Sequence, residues 1–113
     1  MYKKGMKKMK IYNKLVRDKI PEIIRATGKN CDVRVAEKEE QLKLLESKLS
    51  EEVAEYMEAK NLEELSDIME VLFGLAKKLG YREEDLINKR LEKREERGSF
   101  EEGIVLEKVW EQE

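Results

Sequence analysis

Two acidic runs carry the residue types and spacings best suited to chemistry, EEVAE over 51–55 and EELSDIME over 63–70. Glu52 and Glu55 lie three apart, as do Glu64 and Asp67, so each pair presents two carboxylates from one side of a helix. A solvated charged face is the ordinary explanation of such a pair in an acidic chain. Position argues otherwise. At ~100° per residue, Glu52 falls between Leu45 and Ala59 on the flank of an apolar face, and Val71 falls between Glu64 and Asp67. Brought together without a counter-ion, such groups repel by roughly 4 kcal/mol per close pair at an effective dielectric near 20. Either their pKa values rise or cations neutralise them. The chain has no His and a single Cys, Cys31, which excludes His-based catalysis, zinc sites and a disulfide framework. An all-oxygen ligand set favours Mg²⁺, Mn²⁺ or Ca²⁺. Mg²⁺ fits best, because it takes a few carboxylates and keeps waters that a phosphate can displace.

A phosphate-bearing substrate also needs cationic side chains. Leu86, Arg90, Lys93 and Arg97 share one helical stripe; their plain explanation is cations at a helix C-terminus, worth ~0.3–1 kcal/mol each. Lys14, Arg17 and Lys19 form a second basic group beside a helix start, where backbone N–H groups also favour anions. That segment is expected to close over a bound anion or to meet a partner subunit. Asp18 reads as an N-cap or a functional acid, Lys48 as an i,i+4 ion-pair partner of Glu52, and Lys89 and Arg94 as surface charge.

Four helices must position these groups. Residues 18–27 place Ile20, Ile23 and Ile24 on one face, with Pro21 in the first turn and Gly28 at the stop. Over 39–60, Leu42, Leu45, Leu49, Val53 and Tyr56 recur at spacings of 3, 4, 4 and 3. Asn61 with Glu64 reads as a capping box opening a third helix, whose wide apolar face runs from Leu62 to Leu79 before Gly80. The link of about two residues makes an antiparallel hairpin. Residues 83–97 form a highly charged fourth helix closed by Gly98. The alternation in 31–36 and in GIVLEKVW over 103–110 predicts two short strands that pair with each other. The expectation is a mainly α fold, a helical hairpin or bundle with a small two-stranded β element. One domain spans 10–113 after a frayed, Lys- and Met-rich tail over 1–9, with Met6 or Met9 as alternative starts.

Length and composition set the class. A chain of 113 residues, 40% apolar, supports one modest core. Charged residues make up 44% against a usual ~25%. The net charge of −2 hides an asymmetry: residues 1–29 hold ten Lys/Arg against two acids, and the rest hold fourteen against twenty-four. A basic arm beside an acidic body makes nucleic acid an unexpected partner. No apolar run suits a membrane span or a signal peptide, so a soluble, cytoplasmic protein is expected. Glu- and Lys-rich composition with two Gln also suits a thermophile.

YNKLVRDKIPEII, KLSEEVAE, EELSDIMEVL and KREERGSF followed by I-V-L, in this order over about 11–109, resemble the MazG-like superfamily of all-α nucleoside triphosphate pyrophosphohydrolases. The resemblance is to its small phosphoribosyl-ATP pyrophosphohydrolase-like branch. It implies Mg²⁺-dependent hydrolysis between the α and β phosphates of a nucleotide, with release of a monophosphate and pyrophosphate. Glu52, Glu55, Glu64 and Asp67 stand where the family carries its metal-binding acids, and Lys93 and Arg97 stand where phosphates would be faced. Glu51 or Glu52 is the candidate general base. Only eight residues separate Glu55 from Glu64, fewer than the superfamily usually has. A tight hairpin would set Glu55 level with Asp67 and Glu52 level with Glu70, so Glu70 competes with Glu64 as the fourth ligand. A four-helix core from one hairpin per chain implies a homodimer or larger homo-oligomer. House-cleaning of nucleotides and histidine synthesis remain open as pathways. The alternative is a non-catalytic oligomerisation or regulatory protein that uses the same faces and offers the basic arm to nucleic acid or an acidic partner.

Overall fold

The computed structural model describes residues 9–112, so the expected tail lies outside the described residues except for Met9. The chain forms α1 (Ile20–Ala26), α2 (Lys38–Ala59), α3 (Leu62–Lys78) and α4 (Glu83–Arg97). α2 and α3 pack as the expected hairpin, and α4 packs on α3. Lys60 ends α2 in the left-handed region (φ 50°, ψ 51°), and its N–H donates to the Tyr56 carbonyl at 2.8 Å. Extended Asn61 then accepts the Glu64 backbone N–H on its Oδ1 at 2.9 Å. Only this half of the expected capping box forms around Asn61. At α4, the Asp85 carboxylate accepts the Arg82 N–H at 2.8 Å. The N-cap position of α1 falls on Lys19, so Asp18 does not cap it.

Packing of the apolar seam, rather than the link, sets the hairpin register. Leu45 Cδ2 lies 3.0 Å from where a Cβ on Gly74 would stand, so the leucine nests in the notch that this glycine leaves and would have to shift to admit a side chain there. Seven residues on in α2 and seven back in α3, Glu52 meets Asp67. The link-based expectation that Glu52 lies level with Glu70 is therefore corrected by about one helical turn. A larger side chain at Gly74 must push the helices apart or slide them. Gly74→Leu is expected to lower stability by about 1–3 kcal/mol, read by urea denaturation; a midpoint at or above wild type would show that Leu45 does not hold the register.

The expected β element is absent among the described residues: 31–36 and 103–110 form no strand. Two lone strands bury too little to be stable without a third or a helix to cover them. Here the first segment is tied to α2 instead, by a bidentate Arg34–Glu40 pair at 2.8 and 2.6 Å and by Gln41 Nε2 donating to the Ala36 carbonyl at 2.6 Å. Ile104, Val105, Leu106, Val109 and Trp110 are exposed.

The single chain closes little core. Among the described residues Val71 and Ala76 are the buried apolar ones, and the radius of gyration is 20.4 Å, against about 13 Å for a compact chain of this length. A stripe on α3 at spacings of 3, 4 and 3 stays open: Leu62 is 80% exposed, Leu65 47%, Met69 52% and Leu72 39%. No helix among the described residues is long and apolar enough to cross a membrane.

Candidate functional site

The facing stripes of the hairpin are Leu45, Lys48, Leu49, Glu52 and Tyr56 on α2, and Glu64, Asp67, Ile68, Val71 and Leu75 on α3. All of these are half-buried or buried. Both stripes keep helical spacing throughout; that of α3 is acidic at its link end and apolar beyond, and that of α2 sets Glu52 between Leu49 and Tyr56, so the carboxylates occupy positions that core residues hold elsewhere on the same faces. Carboxylate oxygens of Glu52, Glu64 and Asp67 lie within 4.8 Å of one another, and those of Glu51, Glu52 and Glu55 do likewise. Glu52 belongs to both groups.

Glu52 is only 6% exposed. Its Oε1 forms an ion pair with Lys48 Nζ at 3.3 Å, the i,i+4 pair expected from spacing, and Lys48 Nζ donates to Glu51 Oε1 at 3.4 Å. Its Oε2 is buried with no hydrogen-bond partner, and so is Oε2 of Glu64. Burial pushes the Glu52 carboxyl above the usual carboxylate range, Lys48 opposes the shift, and the neighbouring Glu55 carboxyl adds to it. Folded proteins seldom leave such atoms unpaired, since each forfeits its hydration for nothing.

The segment before α1 supplies the opposing charge. Asn13 turns the chain at φ 46°, and Lys14 Nζ then donates to Glu51 Oε1 at 3.1 Å. Arg17 Nη2 donates to Asp67 Oδ1 at 2.7 Å. The Lys14 hydrogen bond holds the Glu51 carboxyl below its ordinary range against the effect of burial, with Lys48 assisting, and Glu51 in turn raises the Lys14 ammonium.

Of the acids singled out by spacing, Glu51, Glu52, Glu55, Glu64 and Asp67 come together, with Glu55 the most open of them. Glu70 is exposed and stands outside both groups. Glu64 need not choose between cap and cluster: its backbone N–H serves the Asn61 cap while its carboxylate turns to Glu52. Of the cations, Lys14 and Arg17 reach the acids. Arg90, Lys93 and Arg97 are exposed and make no ion pair among the described residues, and Lys89 pairs with Glu92 at 3.1 Å. Contact of Lys14 and Arg17 with particular carboxylates had no local signal, since the partners lie 37 and 50 residues away.

The donors suit a hard divalent cation: oxygen ligands alone, from two helices, with two buried oxygens lacking any partner. No protein-family model matches this chain, and no solved structure matches it. It is similar to an uncharacterized protein of Mycolicibacterium smegmatis, 51% identical over 41 residues, which cover 36% of this chain and 42% of that protein. The match therefore spans less than half of either chain.

Proposed function

We propose that this protein is a Mg²⁺-dependent nucleotide pyrophosphohydrolase of the MazG-like type, acting in the cytoplasm and cleaving the α–β phosphate bond to give a monophosphate and pyrophosphate; Mn²⁺ would serve in place of Mg²⁺. The observation that carries this reading is the pair of buried, unpartnered carboxylate oxygens on Glu52 and Glu64 beside Asp67. A scaffold gains nothing from three acids in the core of its hairpin. Glu52, Glu55, Glu64 and Asp67 would hold the cation. Bound there, Mg²⁺ supplies Lewis acidity at the phosphates and makes water a better nucleophile at neutral pH. The general base would be Glu51 or Glu52, whichever carboxylate is not committed to the cation. Lys14 and Arg17 lie at the rim with donors suited to phosphate oxygens. Lys93 and Arg97, with Arg90, would add phosphate contacts from α4.

The open stripe of Leu62, Leu65, Met69 and Leu72 supports a homo-oligomer, since a second copy of the same face would bury what one chain leaves wet. Product analysis tests the enzyme reading. With millimolar Mg²⁺, a panel of standard and modified nucleoside triphosphates and phosphoribosyl-ATP is expected to yield monophosphate and pyrophosphate from at least one member. Asp67→Ala should lower that rate by roughly 10²–10³, the size of losing one element of charge stabilisation. No pyrophosphate from any member would favour the oligomerisation or regulatory protein instead.

A further inference from the structure

The segment over 10–19 reaches the acidic hairpin through two cations aimed at two different helices, Lys14 at Glu51 on α2 and Arg17 at Asp67 on α3. α1, which follows it, makes no close backbone approach to the other helices, although Leu15, Ile20, Pro21 and Ile24 are half-buried. The two ion pairs are the polar hold on this segment. Asp67 belongs to one three-carboxylate group and Glu51 to the other, so each cation sits on a carboxylate that a divalent ion would use. The central acid between them, Glu52, keeps its Oε2 unpaired, so the tethered cations leave the cluster incompletely neutralised.

We infer that Lys14 and Arg17 are built-in counter-ions that compete with a divalent cation for these carboxylates, so that loading the site with metal releases the segment over 10–19 and frees both side chains for an anionic ligand. This rests on the divalent-cation reading of the site above. Each exchange is electrostatically sensible. A doubly charged ion neutralises the cluster more completely than a guanidinium on one oxygen, and the displaced guanidinium is suited to bidentate phosphate contact. The pairs are half-exposed, with 44% and 32% of the side-chain surface open for Lys14 and Glu51, and 52% and 31% for Arg17 and Asp67. Such pairs are weak enough to be displaced.

Two measurements on the full chain, with Mg²⁺ alone as the probe, test this. Calorimetric titration gives Mg²⁺ affinity for wild type and for Arg17→Gln. Trypsin digestion followed by mass spectrometry gives the rates of cleavage after Lys14 and Arg17 in EDTA and in Mg²⁺ at matched ionic strength, with cleavage after Arg94 in α4 as the internal reference. Arg17→Gln is expected to bind Mg²⁺ roughly two- to fivefold more tightly, the worth of an exposed ion pair. Mg²⁺ is expected to accelerate wild-type cleavage after Lys14 and Arg17 relative to Arg94. A segment that merely braces the fold predicts the opposite sign for the variant. If Mg²⁺ binds but either expectation fails, the competition is refuted and the metal site stands. If Mg²⁺ does not bind wild type, both are refuted.

Discussion

Glu52→Gln is expected to melt above the wild type in EDTA and to lose most of the stabilisation that Mg²⁺ gives the wild type. Without metal, Glu52 is a carboxylate with almost no access to water, beside Glu55, Glu64 and Asp67, and only one of its oxygens has a partner. The amide has nearly the same shape, carries no charge, and offers two N–H donors to the acids around it. Lys48 loses one contact but keeps Glu51 at 3.4 Å. Relief of an unsatisfied buried oxygen is worth about 1–3 kcal/mol; set against the lost Lys48 pair, a net gain near 1 kcal/mol remains, about 4–8 °C for a domain of this size. The sign follows from the same burial that raises the Glu52 carboxyl, since the fold disfavours its ionised form. Mg²⁺ reverses the ranking. At ten times its dissociation constant, a cation that binds only the folded wild type adds about 1.4 kcal/mol. Melting curves of both proteins with and without Mg²⁺ would show the crossover. A variant less stable than wild type in EDTA, with an undiminished Mg²⁺ response, would mean that Glu52 is a structural ion-pair partner of Lys48 and nothing more.

The contrast between Glu64 and Glu70 gives the second large effect. Glu64→Gln is expected to cut Mg²⁺ affinity and turnover by at least the ~10–100-fold that even indirect partners of a metal cost, and to raise metal-free stability as Glu52→Gln does, since its Oε2 is also buried without a partner. The cap is untouched, because Asn61 accepts the backbone N–H of residue 64 whatever its side chain. Losing the cap itself, as in Asn61→Ala, should cost roughly 0.5–2 kcal/mol with or without metal. Glu70→Gln should match wild type throughout, since Glu70 is exposed and away from both groups. Metal titrations and rates for the three variants side by side separate ligand, cap and bystander. A Glu70 variant that loses its Mg²⁺ response while the Glu64 variant keeps it would place the hairpin in the other register.

The helices were legible because their signals are local. Apolar residues at 3 and 4 spacing, Pro21 in the first turn of α1, Asn61 before α3 and Gly98 after α4 mark elements through neighbours a few residues away. The same spacing placed Glu52, Glu64 and Asp67 on the inner flank of the hairpin, where they lie. The two expected strands do not form, for the opposite reason. Alternation in 31–36 and 103–110 satisfies a local pattern, but a strand exists only through a partner, and neither segment has one among the described residues.

What the sequence determines by itself is therefore which residues share a helix face, and that no ligand type other than oxygen is available in number to hold a metal. Tertiary structure decided how one face lies against the next. Leu45 seated over Gly74 slides α2 relative to α3 by about a turn from the position the short link suggests, and that slide brings Glu64 rather than Glu70 to Glu52. It also decided that Arg17 meets Asp67 across 50 residues, and that the cations of α4 meet no acid of the cluster. Helical periodicity repeats every few residues and so is written along the chain. Register and long-range charge pairing depend on which side chain fits which gap, and that choice exists only once two faces are in contact.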